Sequence, residues 1–270
     1  MNANRAERFR EKLSSGPVIG TFSKTSDPAF IEILGRSGHD FVILDLEHGP
    51  NDLKTLEHLI RAAELGGVLP IVRTKEGDLG QIGAALDLGA GGVQIPQIRS
   101  AEEARAVIRR ARFGEHGERG VCRFVRAAGY SSVERNTYFR EANRALVILQ
   151  LEGSEAIAAL DSILEVPGID AIFVGPYDLS QSLGVPGQID HPLVEKEMLR
   201  VAERAAQKGI AVGNFTDKPE ALRKWKSLGL RYLAHSVDVG IFYEAAKKIA
   251  SDFTNEHSIK TSNLNVLLNS

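Results

Sequence analysis

Short apolar runs alternate with amphipathic stretches along almost the whole chain. The runs are Val18–Phe22, Phe41–Leu44, Val68–Val72, Gly92–Ile95, Ala145–Leu151, Ala171–Val174, Ile210–Val212 and Tyr232–Ala234. Most are nearly continuous in Val, Ile and Leu, as parallel strands covered on both faces should be. Between them the apolar positions return with a helical period. In Leu53–Leu65, for example, Leu53, Leu56, Leu59, Ile60 and Ala63 fall on one stripe. Asn51 or Asp52 is placed to cap that helix, and Gly66-Gly67 to end it. Ser26-Asp27-Pro28 marks a second helix start. Ser100 precedes a helix over Ala101–Ala111, and Asp217 one around Ala221–Leu228.

Strand then helix, repeated about eight times over roughly 250 residues, predicts an α/β fold of the single-domain (β/α)8 TIM-barrel type. An open doubly wound sheet often carries a Gly-rich turn after its first strand, where this chain reads Thr21-Phe22-Ser23-Lys24. The expected barrel covers residues 1–250. A polar tail, 251–270, holds a late Leu264–Leu268 patch and is expected to fray or to dock on a neighbouring subunit. The rhythm breaks at residues 112–144, a connection rich in Arg and Gly before the fifth strand, and long loops of this kind often carry function.

Composition narrows the classes. At 43% hydrophobic and 25% charged residues, the chain is ordinary for a globular protein with its own core. A net charge of −2 leaves no basic footprint for nucleic acid. No apolar stretch approaches a membrane span, and the charged N-terminus lacks the apolar core of a signal peptide. Cys122 is the single cysteine, so no internal disulfide forms and a cytoplasmic location is expected.

In this fold the chemistry sits where strands end. Those ends are rich in polar residues: Asp45-Leu46-Glu47-His48, Arg73, Gln94 with Gln97, Gln150-Leu151-Glu152, Gly175-Pro176-Tyr177-Asp178, Asn214, and His235 with Asp238. Charged groups there are costly unless they pair or bind an ion. Glu152 and Asp178 follow adjacent strands and are the candidate metal ligands. Two carboxylates, completed by water and a chelating substrate, suit a hard divalent cation such as Mg²⁺ or Mn²⁺. The structural alternative is that each caps a helix. His48 follows Asp45 by three residues, and a carboxylate beside an imidazole makes a general acid/base near neutral pH. Arg73 can grip a substrate carboxylate bidentately, or pair with Asp45 or Glu47. Gly175-Pro176 can present backbone groups to a small planar ligand. Arg119, Arg123 and Arg126 in the long connection can read a second carboxylate, or stand as solvated charge. Lys24 and Lys75 look peripheral, which disfavours a Schiff-base mechanism.

Four stretches, taken in order, resemble the HpcH/HpaI family of class II pyruvate aldolases, whose best-known activity is on 4-hydroxy-2-oxoheptanedioate. They are Phe41–Pro50, Leu86–Pro96, Gln150-Leu151-Glu152 and Val166–Ser180. The resemblance implies metal binding by Glu152 and Asp178, acid/base work by His48 with Asp45, and carboxylate binding by Arg73. Gln150, Gly175, Pro176 and Arg123 complete the expected substrate site. It also implies a divalent metal (Mg²⁺, Mn²⁺ or Co²⁺), a 2-oxo acid substrate and a hexamer with an exchanged C-terminal helix. The segment Val121–Tyr130 departs from the best-known aldolases. Relatives on this barrel include a siderophore-pathway citrate synthase and sugar-acid aldolases. Condensation of oxaloacetate with acetyl-CoA is therefore the alternative reaction, and a non-catalytic binding protein a third reading.

Overall fold

The structure is a computed structural model that describes residues 2–115 and 117–268, with side chains described over residues 5–115 and 117–254. In chain order the helices and strands are α1 (Asn2–Ser15), β1 (Val18–Ser23), α2 (Pro28–Arg36), β2 (Phe41–Asp45), α3 (Leu53–Gly66), β3 (Leu69–Arg73), α4 (Leu79–Asp87) and β4 (Gly92–Ile95). They continue with α5 (Ala101–Ala111), α6 (Arg135–Ala142), β5 (Leu146–Leu151), α7 (Ser154–Ala158), α8 (Leu160–Leu164), β6 (Ala171–Val174) and α9 (Pro176–Ser182). The last are α10 (Pro192–Gln207), β7 (Ala211–Thr216), α11 (Pro219–Ser227), β8 (Tyr232–Val237) and α12 (Asp238–Leu268). The strands close into one parallel barrel in sequence order, with β1 paired to both β2 and β8.

The predicted strands are all present, within a residue of their expected starts. The short expected seventh run extends to Thr216. Local chemistry sets most helix ends as predicted. Asp27 caps α2, Asp52 rather than Asn51 caps α3, and Ser100 caps α5, each through its side chain. Gly67, at φ 85, ends α3. Asp217 does not cap α11, which starts without a side-chain cap; it accepts a hydrogen bond from the Tyr177 hydroxyl instead.

Strand alternation sorts the core into two shells. Val42, Leu44, Val72, Val93, Val147, Leu149 and Ile172 face the helices, while Phe41, Ile43, Ile71, Ile148, Phe173 and Tyr232 fill the barrel. The sequence reading missed α1, although Ala6, Phe9 and Leu13 recur at helical spacing. These three residues belong to the barrel's inner cluster. Phe9 meets Phe41 and Tyr232 edge-on, and Phe41 stacks on Tyr232 with centroids 4.3 Å apart. Such pairs add about 0.5–1.5 kcal/mol beyond burial alone.

The seam between first and last strands is held by Asp238. Its carboxylate accepts from the Ser23 hydroxyl at 2.6 Å, from the backbone N–H of Lys24 and Thr25, and from the Thr25 hydroxyl. Asp238 thus ties the barrel closed. His235, whose ring bonds Thr216, and Asn214 stand on the strand faces opposite the barrel-filling positions. None of these three joins the set at the mouth. The boundary expected at residue 250 is not marked by a break, because α12 runs through it. The Leu264–Leu268 patch and its expected docking lie outside the residues whose side chains are described.

Connection 112–144 follows α5 and leads into β5, so it lies at the N-terminal end of the barrel. It carries its own small core of Phe113, Ala128 and Tyr138. Arg119 pairs with Asp87, Arg126 with Glu64, and Arg123 donates to the carbonyls of Ser131 and Val133. The expectation that Arg123 binds substrate in this chain's own barrel is therefore corrected: it knits the loop, at the wrong end for the strand termini.

Strand spacing makes one glycine indispensable. A Cβ on Gly213 would stand 1.7 Å from the Tyr232 carbonyl oxygen. Gly213→Ala is expected to pry β7 from β8 and cost about 3 kcal/mol or more, seen as a lower denaturation midpoint; an unchanged midpoint would refute that packing.

Candidate active site

At the C-terminal mouth, β2 and β3 bring Asp45 and Arg73 into register. The guanidinium donates from Nε to Asp45 Oδ1 at 2.9 Å and from Nη2 to Oδ2 at 2.7 Å. Its third nitrogen, Nη1, lies 3.0 Å from Glu47 Oε2, and its Cζ sits 4.7 Å from the Phe22 ring centroid. Asp45 also accepts from the backbone N–H of Glu47 and His48, and Lys24 Nζ lies 3.8 Å away. Burial alone would raise the Asp45 pKa, but the bonds and charge of Arg73 hold it below the ordinary carboxylate range.

This corrects the expected dyad. Asp45 fixes the backbone at His48, but its carboxylate is committed to Arg73 and not to the imidazole. The His48 ring points outward, 61% exposed, with Nε2 3.9 Å from Glu47 Oε2. Lys24 is less peripheral than its sequence position suggested, being an ion-pair partner of Asp45.

Glu152 follows β5 and is only 4% exposed. Its Oε1 accepts from Gln150 Nε2 at 2.5 Å, and its Oε2 from the Gln97 backbone N–H at 3.1 Å. Gln97 holds that N–H in place at φ 55, a left-handed conformation that a non-glycine residue adopts at some cost. Gly175 completes the cradle: a Cβ there would stand 2.4 Å from Glu152 Oε1. Neither candidate ligand caps a helix. Gly153 is the N-cap of α7, and Asp178 lies inside the first turn of α9 rather than before it.

The charges at the mouth do not balance locally. Burial pushes the Glu152 carboxyl up to about 7, and the charges of Asp178 and Glu47 add to the rise. Burial likewise lifts Glu47 to about 6, against the pull of Arg73. A divalent cation between Glu152 and Asp178 would relieve that repulsion. Among the described residues no cluster of three or more His, Cys, Asp or Glu is arranged to hold a metal. The two carboxylates nonetheless fit a hard cation that takes its remaining ligands from water and substrate oxygens. The sequence reading gave Glu47 no role beyond a pairing option for Arg73, and none to the Gln97 N–H or to Gln94. Their position at strand ends was the available signal.

A closed parallel (β/α)8 barrel with charged side chains gathered at the C-terminal ends of its strands has the architecture of an enzyme of that fold. Residues 18–245 match the HpcH/HpaI aldolase/citrate lyase family, and the chain belongs to it. It is accordingly a carbon–carbon lyase. A 2-keto-3-deoxy-L-rhamnonate aldolase from Escherichia coli O9:H4 is 36% identical over 248 residues, 91% of this chain and 92% of that one. A family member from Burkholderia cenocepacia superposes with a TM-score of 0.87 at 32% identity, covering 92% of this chain and 99% of its own. The citrate synthase SbnG superposes at 0.82 with 29% identity, covering 92% and 98%. Among the described residues no helix is long and apolar enough to cross a membrane.

The raised Glu152 pKa has a consequence for stability. Between the ordinary value of 4.5 and about 7, the folded chain keeps a proton that the unfolded chain has released, so stability falls as pH rises through that window. Metal-free wild type is expected to lose melting temperature relative to Glu152→Gln between about pH 5 and about pH 8. A gap that stays constant with pH would show that this carboxyl is not desolvated as described.

Proposed function

We propose that the chain is a divalent-metal-dependent aldolase that cleaves a 2-keto-3-deoxy sugar acid to pyruvate and an aldehyde, reversibly. The observation that carries this reading is the buried Glu152 carboxylate, held by Gln150, Gln97 and the Gly175 cradle and repelled by Asp178 and Glu47. The E. coli relative is named for a deoxy sugar acid, which favours that substrate class over 4-hydroxy-2-oxoheptanedioate. The condensing alternative relied on Arg123 and Arg126 facing an extra carboxylate, and both lie at the other end of the barrel.

Glu152 and Asp178 are the residues to hold the cation; Mg²⁺, Mn²⁺ and Co²⁺ all suit such a donor set. When bound, the cation supplies Lewis-acid polarisation of a 2-oxo acid. The chain's own groups do the rest. Asp45 and Glu47 together engage three of the five N–H donors of Arg73 and hold its guanidinium fixed, leaving one hydrogen on Nη1 and one on Nη2 to meet a substrate oxyanion without reorganisation. Gln150 spends one amide hydrogen on Glu152 and has a second for substrate. Gly175 and Pro176 line the approach with backbone that leaves room for a planar acid. His48, exposed at the rim, takes the proton of the 4-hydroxyl as the C3–C4 bond opens and returns one to C3 or to solvent. Phe22 beneath Arg73 keeps water from that side. Assembly into a homo-oligomer fits the exposed apolar residues of α12: Ile241, Phe242, Tyr243, Ile249 and Phe253.

Chelator-treated protein mixed with a 2-keto-3-deoxy sugar acid is expected to release pyruvate only after Mg²⁺, Mn²⁺ or Co²⁺ is added. Borohydride with pyruvate should leave no covalent adduct. Metal-independent release, or an adduct at a lysine, would end the proposal. Arg73→Lys is expected to lower kcat about 100-fold or more with the fold intact, since a point charge cannot replace the clamped fork. Gly175→Ala is expected to weaken Mn²⁺ binding about 10-fold by displacing the Glu152 carboxylate; unaltered affinity would remove Glu152 from the metal site.

A further inference from the structure

A chain of hydrogen bonds runs through the barrel beneath the mouth. The Tyr232 hydroxyl, on β8, donates to Gln94 Oε1 on β4 at 3.1 Å. Gln94 Nε2 donates to Gln150 Oε1 on β5 at 2.5 Å, and Gln150 Nε2 donates to Glu152 Oε1 at 2.5 Å. Tyr232 and Gln94 are fully buried, and Gln150 is 1% exposed. In a barrel of eight strands closed in sequence order, β8 and β4 stand opposite each other, so the first bond spans the interior.

All three bonds point the same way, and the direction matters. A carboxylate accepts only, so Gln150 must present its NH₂ end to Glu152. An amide turned by half a rotation would set its carbonyl oxygen against the carboxylate. Gln150 is kept from turning because its carbonyl already accepts from Gln94. Gln94 must then turn its NH₂ end to Gln150, and the Tyr232 hydroxyl, able to donate or accept, satisfies the carbonyl oxygen left at the far end, which would otherwise be buried without a partner. At the origin of the series, the Tyr232 ring cannot swing: it stacks on Phe41 and meets Phe9 and Phe173 edge-on. Bonds in such a series polarise one another in a low dielectric.

We infer that Tyr232 and Gln94 are positioning residues that act through Gln150 to fix the Glu152 carboxylate in the pose that holds the cation. The inference rests on the metal site proposed above. It extends the functional set to two residues that have no contact with Glu152, one of them across the barrel. Buried polar groups in the otherwise apolar interior of a barrel carry a desolvation cost, and orienting the ligand accounts for their presence.

Tyr232→Phe removes the hydroxyl and keeps the stacked ring, and Gln94→Leu removes the amide. Each is expected to weaken Mn²⁺ binding about 10-fold, as outer-shell partners of metal ligands do. The double variant should lose no more than the larger single loss, because the two residues lie in series. In metal-free protein labelled with ¹⁵N-glutamine, the Gln150 side-chain amide resonance, assigned with Gln150→Leu, should shift in Tyr232→Phe. A purely structural Tyr232 would lower the melting temperature and move neither readout. Wild-type affinity in Tyr232→Phe, or losses that add in the double variant, would overturn the inference. Should wild type bind no Mn²⁺ at all, the metal reading fails on that result and takes the ion-holding role with it. The amide resonance then still decides the coupling itself: no shift excludes it, and a shift retains Tyr232 and Gln94 as positioners of Glu152.

Discussion

A carboxylate at 4% exposure among other carboxylates is an expensive thing to build, and the mouth of this barrel is organised around that expense. Glu152 is given two N–H donors and a glycine-lined hollow, yet its pKa still climbs to about 7. On the opposite side Arg73 is shared by Asp45 and Glu47, and Lys24 stands 3.8 Å from Asp45, so the cations on that side already answer two acids. Folding thus leaves an excess of negative charge facing the space between β2, β5 and β6. A group that brings positive charge there is bound at the expense of repulsion already present in the native state.

The two halves of the site use their polar partners differently. Asp45 and Arg73 form a bidentate pair whose geometry is set by strand register, and the pair is nearly self-sufficient. Among the described residues Glu152 has no cationic partner in direct contact and is held by neutral donors. Neutral amides orient a carboxylate without neutralising it, which leaves the charge available to an incoming ion. An arginine in place of Gln150 would make a stronger bond and a poorer metal ligand. This contrast explains why the mouth contains both kinds of arrangement.

Much of this was legible in the sequence, for identifiable reasons. Strands covered on both faces write themselves as unbroken apolar runs, and caps such as Asp52 and Ser100 declare helix starts. Asp45, Arg73, Glu152 and Asp178 could be gathered because the fold puts every strand end on one rim. What failed were pairings at short spacing. Three residues separate Asp45 from His48, but the turn aims the carboxylate back at β3. Arg123 looked available because the chain order alone does not show at which end of a barrel a long connection lies. It does follow once α5 and β5 are recognised, since a segment leaving a helix for a strand runs under the barrel. Asn214 and His235 were misplaced by one step of strand alternation, which sends a side chain from the mouth to the helix layer.

The interior polar residues follow a different logic, and it links the two ends of the barrel. α1 plugs the N-terminal opening with Phe9, and Phe9 packs on the Tyr232 ring whose hydroxyl begins the hydrogen-bond series. A wholly apolar interior would pack as well, and would be cheaper, because it would bury no amide. But an apolar interior transmits only volume. A series of amides, each with distinct donor and acceptor ends, transmits direction, and direction is what a carboxylate needs if its two oxygens, each accepting one hydrogen bond, are to keep their remaining lone pairs for a ligand. On this view the aromatic plug does more than fill space: by holding one ring still, it keeps a hydroxyl in place to satisfy the last amide of a series whose direction the acid at the top dictates.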